Sequence, residues 1–269
     1  MANAPGPCGL LTLLTDFGTS DGYVAAMKGI VYSTSPTIRV VDITHEVAGQ
    51  DIFRGAMILK QVASTFPVGT VHVAVVDPGV GTTRKPIAVE SRGQYFVGPD
   101  NGVLALAATE PRRIHEITNK NLVQPTLSDT FHGRDIFAPA GAHIACDTPL
   151  EDVGPSMDTM KEIPLPRPVF HEDTIEAQVV YADQYGNLML NVHAEEIIGI
   201  DRASMEIQLS GFRIEGMSLT YGDVAIGELV VYMGSTGYIE IARREGNARH
   251  YLGAPRGTRV KIRHAPKGR

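Results

Sequence analysis

The first 80 residues alternate between short apolar runs and longer segments that have one apolar face. Residues 10–15, 38–44 and 70–76 are apolar runs that stop at polar loops, as buried strands do. Residues 22–34 and 51–66 have the capping residues and apolar spacing of helices. This order predicts a βαβαβ unit, and right-handed crossovers then give a mainly parallel sheet with helices on its faces.

After residue 77 the predicted elements become shorter. Strands are predicted at residues 86–91 and 95–97, and helices at residues 101–108 and around 136–146. Residues 147–168 contain five prolines and little periodic apolar pattern, which indicates a linker.

The C-terminal part of the chain consists of short apolar runs separated by turn sequences. They lie at residues 174–183, 188–192, 204–209, 227–233, 238–242 and 259–263. This spacing, roughly 8–12 residues, is typical of an antiparallel barrel or sandwich. The sequence therefore predicts an α/β N-terminal domain with a mainly parallel central sheet (residues 1–150), a proline-rich linker (151–172) and a smaller all-β, barrel-like C-terminal domain (173–269).

Composition supports this picture and excludes several classes of protein. The chain has 28 Gly and 17 Pro among 269 residues, which favours turns and β structure, and its net charge of -6 disfavours binding to nucleic acid. Cys8 and Cys146 are the only cysteines, too few for a cysteine-rich zinc site or a disulfide scaffold. No apolar run suits a membrane span or a signal peptide, so we expect a cytoplasmic protein without a membrane partner.

Two acidic residues follow predicted parallel strands, at the edge where α/β sheets collect ligands. Asp16 comes after the first strand and Asp77 after the third, although either carboxylate can also serve only to cap a turn. The loop 77–84 contains two glycines that allow a ligand to approach the backbone, and it places Asp77 and Arg84 at its two ends. It lacks the spacing of a phosphate-binding P-loop.

A third polar cluster, residues 130–135, precedes a predicted helix and contains His132. A single loop histidine often has only a structural role. A metal site would need His132, Asp135 and His143 to converge, and no metal-binding spacing supports this, so no metal is predicted. No nucleophile elbow is present, which argues against covalent catalysis.

Two turn sequences of the β domain carry further polar groups. Residues 183–187 and 234–238 have the composition of hairpin connections. Alternatively, the Asn187 amide can pair with the edge of a heterocycle, and Ser235, beside two glycines, can offer its hydroxyl and backbone N–H groups to a carboxylate. Composition leaves both interpretations open.

Six short motifs, in order along the chain, carry a resemblance to a known family. They are TDFGTSD (15–21), VDPGVGTTR (76–84), GPDNG (98–102), FHGRD (131–135), GN (186–187) and GS (234–235). Together they resemble the S-adenosyl-L-methionine (SAM) hydrolase family, long called a domain of unknown function and related to fluorinase and chlorinase. The resemblance covers nearly the whole chain, from about residue 10 to 264.

The resemblance implies hydrolysis of SAM to adenosine and L-methionine without a cofactor. In that family water attacks C5′ of the ribose, and an aspartate, an arginine and a histidine orient and activate it; here these are Asp77, Arg84 and His132. The leaving group is a neutral thioether that needs no acid, so the task is to make water nucleophilic and hold it in line. The resemblance also implies a homotrimer, with each active site between the α/β domain of one subunit and the β domain of its neighbour.

The same resemblance implies which residues bind the substrate. Two of them, Asp16 and Phe131, belong to the α/β domain, and the others belong to the β domain. They are Asp16 (ribose hydroxyls), Asn187 (adenine), Asp183 (methionine ammonium), Ser235 (methionine carboxylate), and Phe131, Glu240 and Arg243 (walls of the pocket).

The chain departs from the halogenases at three positions. Asp77 replaces a tyrosine of the fluorinase halide pocket, where a carboxylate repels an anion at short range. Gly133 replaces the halide-binding serine, as a glycine also does in chlorinase, and Thr236 stands where fluorinase has an arginine for the substrate carboxylate. The loop that fluorinase carries after its third strand is missing. Hydrolysis is therefore preferred over two alternatives, a chlorinase-like halogenase and a non-catalytic adenosine- or SAM-binding protein.

Overall fold

A computed structural model describes residues 6–109 and 111–265 of the chain. The chain divides into two compact units, Met1–Ile163 (unit 1) and Pro164–Arg269 (unit 2). Each unit has its own hydrophobic core. Among the described residues, no helix combines the length and the apolar character needed to cross a bilayer.

The described residues of unit 1 form a six-stranded sheet and three α-helices. The strands follow the order β2-β1-β3-β5-β4-β6 across the sheet. The helices are α1 (Tyr23–Thr34), α2 (Ile52–Ala63) and α3 (Ala138–Ala145), and a π-helical turn, Gly133–Phe137, directly precedes α3. The strands are β1 (Leu10–Thr15), β2 (Arg39–Thr44), β3 (Val71–Val75), β4 (Pro86–Ser91), β5 (Gln94–Pro99) and β6 (Pro111–Glu116).

The sheet of unit 1 is mixed, so the prediction of a mainly parallel sheet is confirmed only in part. Strands β2, β1, β3 and β5 are parallel, whereas β4 runs antiparallel to both β5 and β6. The cause lies in the connection between β4 and β5. Only Arg92 and Gly93 join them, with φ of 53° and 74°, as in a tight hairpin turn. A parallel pair would need a crossover of a dozen or more residues.

The two faces of β1 and β3 pack against different helices. Leu11 and Val73 belong to a core cluster that also contains residues of α1 and α3. Leu14 and Ala74 belong to a second cluster, shared with Leu59 of α2. Because successive side chains of a strand point to opposite faces, this alternation makes the sheet the middle layer of three. Because β1 and β3 are parallel neighbours, their carboxyl ends lie side by side.

The helix predicted at residues 101–108 is wrong, because this segment forms a series of turns. Gly102 has φ of 102°, outside the helical region, and the Asn101 amide donates to the Val76 carbonyl oxygen at 2.8 Å. Val103, Leu104 and Ala108 are nevertheless buried in the core next to α2. The apolar spacing therefore identified the buried residues but not their backbone conformation.

Unit 2 is built from an antiparallel sheet that nearly closes into a barrel. Its strand order is β11-β10-β14-β8-β9-β13-β12, β7 pairs with β8, and the edge strands β11 and β12 contact each other. A short helix, α4 (Ala248–Leu252), precedes the last strand. The strands are β7 (Val169–Phe170), β8 (Thr174–Ala182), β9 (Leu188–His193), β10 (Glu206–Leu209), β11 (Phe212–Glu215), β12 (Leu229–Met233), β13 (Tyr238–Arg243) and β14 (Arg259–Arg263).

Candidate active site

Asp77 and Arg84 form a nearly buried ion pair just beyond the carboxyl end of β3. Arg84 Nε lies 3.0 Å from both carboxylate oxygens of Asp77, and Arg84 Nη2 lies 2.5 Å from Oδ2. The side chain of Arg84 is only 9% exposed and that of Asp77 only 5%. Such a two-pronged contact fixes the plane of the carboxylate, so the remaining lone pairs of Asp77 point in defined directions.

His132 is the third member of this cluster. Its Nδ1 lies 2.6 Å from Arg84 Nη2, and a guanidinium only donates, so Nδ1 is the unprotonated ring nitrogen. Burial, and then the positive charge of Arg84, lower the pKa of His132 below its ordinary value. The ring is therefore neutral at neutral pH and carries its proton on Nε2. The sequence-predicted residues Asp77, Arg84 and His132 are thus in direct contact as a chain with Arg84 at its centre.

Glycines allow the close packing of the loops around this cluster. Gly81 has φ of 76°, and a Cβ there would lie 2.8 Å from the Asp129 carbonyl oxygen. Gly133 begins the π-helical turn after His132, and a Cβ there would lie 3.1 Å from the Phe17 ring. π-Helical turns are rare and occur frequently at functional sites.

Asp16 lies at the same edge of the sheet, beyond β1. Its Oδ2 accepts a hydrogen bond of 2.8 Å from the backbone N–H of Gln50, a residue held at φ of 65°. The segment 45–50 also binds the Asp16 loop through backbone bonds, from Gly18 N to His45 O and from Val47 N to Thr15 O. Asp16 is therefore held in place by a neighbouring loop that sequence reasoning did not identify.

A buried histidine connects the Asp16 loop to β2. His45 Nδ1 lies 2.9 Å from Thr15 Oγ1, and His45 Nε2 lies 3.0 Å from Asp42 Oδ1. Asp42 also pairs with Lys28 at 2.6 Å. Burial tends to raise the pKa of Asp42, but the hydrogen bonds from Lys28 and His45 outweigh it and lower the pKa. In the sequence, the His45–Asp42 pair is visible only as an aspartate three residues before a histidine, close to the end of β2.

Phe131 belongs to a cluster of three aromatic rings. Its ring centroid lies 5.2 Å from that of Tyr23 and 5.9 Å from that of Phe17, both in edge-to-face geometry. The Arg134 guanidinium also lies over the Phe131 ring, 5.0 Å from its centroid. Tyr23 is 51% exposed, so the cluster presents aromatic surface beside His132 that an apolar ligand group can cover.

In unit 2, Asp183 organises the turn between β8 and β9. Its Oδ1 accepts from the backbone N–H groups of Tyr185 and Asn187, at 2.9 and 2.8 Å, and its Oδ2 accepts from Asn187 Nδ2 at 2.8 Å. Gly186 has φ of 85° and no room for a Cβ, which would lie 2.2 Å from the Asn247 side chain. The contact with Asp183 fixes the orientation of the Asn187 amide and leaves its Oδ1 as the acceptor for a ligand.

Glu240 is joined to the same turn through two tyrosines. Tyr232 donates to Glu240 Oε2 at 2.6 Å, the Tyr221 and Tyr232 hydroxyls lie 2.6 Å apart, and Asn187 Nδ2 lies 3.4 Å from Tyr221 Oη. Burial, and then the charge of Asp183, raise the pKa of Glu240, while the Tyr232 hydrogen bond partly opposes them. Asp183, Asn187 and Glu240 are thus one connected group, and the sequence did not point to the tyrosines.

Ser235 and Arg243 do not join this group through side-chain hydrogen bonds with the residues described. Ser235 is exposed in the turn between β12 and β13. Arg243 Nε donates to the Gly227 carbonyl oxygen at 2.8 Å, and its guanidinium lies over the Tyr251 ring at 4.0 Å. Next to Ser235, the buried Thr236 Oγ1 has no hydrogen-bond partner among the residues that the structure describes.

Within the described ranges, no three His, Cys, Asp or Glu side chains gather closely enough to hold a metal ion. The polar groups of the candidate site are instead arranged for hydrogen bonding. They form two sets, Asp16, Asp77, Arg84 and His132 in unit 1 and Asp183, Asn187 and Glu240 in unit 2.

Comparison with known proteins places these groups in a family context. The profile of the SAM hydroxide adenosyltransferase N-terminal domain matches residues 11–154, and that of the C-terminal domain matches residues 177–261. An (R)-S-adenosyl-L-methionine hydrolase of Salinispora tropica is 39% identical over 95% of this chain and 98% of its own length. A fluorinase of an Actinoplanes species is 27% identical over 87% of this chain and 90% of its own.

A solved structure shows the same fold. The crystal structure of an uncharacterized conserved protein from Thermotoga maritima has a TM-score of 0.87 and is 34% identical, covering 94% of this chain and 99% of that one. The two units described above therefore recur in a related protein.

Proposed function

The chain belongs to the SAM hydroxide adenosyltransferase family, and from this premise we propose that it hydrolyses (R)-S-adenosyl-L-methionine to adenosine and L-methionine. The observation that carries the proposal is the contact chain Asp77–Arg84–His132 at the family's motif positions. A protein that only binds a nucleoside has no need for a carboxylate, a guanidinium and an imidazole held together beside the ligand edge of the sheet.

In the proposed reaction, a water oxygen attacks C5′ of the ribose while the C5′–S bond breaks. The bonding pair goes to the sulfonium sulfur, which leaves as the neutral thioether of methionine, so no general acid is needed. The free lone pairs of Asp77 accept a water proton, which then passes to solvent. Arg84 fixes the direction of the carboxylate, and neutral His132 donates from Nε2 to help position the water.

The binding roles rest on the same family premise. Asp16 accepts hydrogen bonds from the ribose hydroxyls, and Phe131 packs against the nucleoside. The free Oδ1 of Asn187 accepts from the exocyclic amine of adenine, because its Nδ2 is directed at Asp183. The remaining lone pairs of Asp183 receive the methionine ammonium. We propose that the Ser235 turn binds the methionine carboxylate and that Glu240 and Arg243 line the pocket.

We also propose a homotrimer in which each site combines unit 1 of one subunit with unit 2 of a neighbour. The expected mass in solution is three times the 29.0 kDa of the chain, measured by light scattering. SAM is the substrate and water the nucleophile, without a cofactor or metal. These statements, and the cytoplasmic location, stay predictions.

The test of the proposed function is the origin of the 5′ oxygen of adenosine. We expect the protein, incubated with SAM in water enriched in oxygen-18, to release adenosine labelled at its 5′-hydroxyl together with unlabelled methionine. With excess chloride the product should remain adenosine, because the Asp77 carboxylate repels a halide. Formation of 5′-chloroadenosine would establish the halogenase alternative, and tight binding of SAM without any product would establish the non-catalytic one.

His45 offers a test of how Asp16 is held. Replacing His45 by Phe removes the hydrogen bond with Thr15 and the close contact with Asp42, and it should loosen the Asp16 loop. We expect KM for SAM to rise about tenfold, the equivalent of one or two hydrogen bonds, while kcat changes little. Asp158, an exposed carboxylate of unit 1 away from this loop, changed to Asn, serves as a control that leaves both constants near wild type. A fall in kcat with KM unchanged would contradict this positioning role.

A further inference from the structure

Unit 2 contains a cavity of about 730 Å³ that the proposed reaction does not use. It lies between β8, β14 and the β10–β11 hairpin. Its lining contains four cationic side chains and one carboxylate, an excess of three positive charges. The chain as a whole has a net charge of -6. We call it the basic cleft; its charged residues are Arg167, Arg213, Arg259, Lys261 and Glu176.

Most of this positive charge is not neutralised within the protein. Arg213 forms ion pairs with Glu206 and Glu215. Among the residues that the structure describes, the side chains of the other three cations, Arg167, Arg259 and Lys261, form neither an ion pair nor a hydrogen bond. Cations gathered without partners repel one another, so an anion that enters the cleft relieves this repulsion.

The remaining lining gives the cleft a fixed floor and an apolar wall. Asn191 is buried, accepts from Gln178 N at 2.7 Å and donates to the Pro166 carbonyl oxygen at 3.1 Å. Phe212 and Val169, which is 52% exposed, contribute apolar surface. The volume falls in the range of about 300–1,000 Å³ that is usual for small-ligand sites.

The basic cleft is separate from the Asp183 turn. Gln178, which lines the cleft, lies five positions before Asp183 along β8 and the start of the turn. At about 3.3 Å per residue, the two residues are roughly 16 Å apart. SAM carries a sulfonium and an ammonium charge, so a lining with excess positive charge suits it poorly. The cleft therefore needs a different ligand.

We propose that the basic cleft binds a small anion bearing several phosphate oxygens, such as an oligophosphate or the phosphate tail of a nucleotide. Guanidinium groups match phosphate oxygens with paired hydrogen bonds, and two arginines with a lysine suit a ligand of two or more negative charges. The cavity is concave and the chain is acidic overall, which favours a small ligand over a nucleic acid. This inference does not depend on the proposed hydrolysis.

The test is titration calorimetry with inorganic tripolyphosphate and with ATP at low and high salt. The double variant Arg259→Gln/Lys261→Gln should bind tripolyphosphate at least about tenfold more weakly than wild type, and binding should weaken as salt rises. Arg263→Gln is the matched control, because Arg263 is an exposed cation of the same strand that lies outside the cleft lining and 3.9 Å from Glu206.

Equal affinities for tripolyphosphate and ATP would show that the phosphates alone are recognised, and tighter binding of ATP would add a contact to the apolar wall; both support the proposal. Absence of binding at millimolar tripolyphosphate would overturn it, as would equal loss in the double variant and the control. Tighter binding of a short RNA that depends on Arg259 and Lys261 would replace it with a nucleic-acid site. Adenosine release from SAM, measured in parallel, reports separately on the proposed hydrolysis.

Discussion

Replacing Asp77 by Asn is expected to lower the rate of adenosine release by a factor of about 10² to 10⁴, the usual effect of losing a positioned acid–base group. The amide keeps the size of the carboxylate but accepts no proton, so water is no longer activated beside C5′. Adenosine binding should stay measurable, because Asp16 and the Phe131 ring cluster are unchanged. Single-turnover kinetics and calorimetry with adenosine separate the two effects.

The ion pair complicates this variant, because Asn leaves the nearly buried Arg84 without a counter-charge. Breaking a buried pair typically costs about 3–5 kcal/mol, so the melting temperature should also fall. The double variant Asp77→Asn/Arg84→Met removes the unpaired charge and should recover stability without recovering turnover. Asp158→Asn, an exposed carboxylate of unit 1, is the control for a general change of charge. Turnover near the wild-type rate in Asp77→Asn would refute the proposed mechanism.

The stability of the protein is expected to fall by about 3 kcal/mol as the pH drops from about 6.5 to about 4, because of His72 alone. His72 is fully buried in β3, bonded to Thr12 Oγ1 at 2.8 Å and stacked on Phe96. Burial lowers its pKa from 6.5 to about 4, partly offset by a hydrogen bond with Gln94.

The direction of the effect follows from which state binds the proton first. The unfolded chain takes up the proton near pH 6.5, whereas the folded protein resists protonation until about pH 4. The contribution of His72 is thus complete above pH 6.5 and is lost progressively as the pH falls towards 4. Urea unfolding measured at several pH values gives the slope.

The variant that tests this is Thr12→Val/His72→Phe, which removes both partners of the Thr12–His72 hydrogen bond. Its stability should depend less on pH than that of wild type by the same 3 kcal/mol, roughly, across this interval. His250→Phe, at an exposed position, should follow the wild-type curve. If the double variant also follows it, His72 is not the group responsible.

Local signals in the sequence were sufficient for much of the fold. The strands at residues 10–15, 86–91 and 259–263 have the predicted limits, because apolar runs bounded by turn residues are a property of contiguous sequence. The proximity of Asp77 and Arg84 was also expected, since both lie in one short turn. Their catalytic roles stay predictions.

The sequence by itself determined the order β1-α1-β2-α2-β3, the change from α/β to β structure, the family motifs and the Asp77–Arg84 loop. Only the tertiary structure decided that β4 runs antiparallel to both of its neighbours, that residues 101–108 form turns, and that His45 supports the Asp16 loop. The same holds for the cations that meet in the basic cleft. The physical reason is that these features depend on contacts between distant residues, whose energies are shared among many packed groups and leave no periodic pattern along the chain.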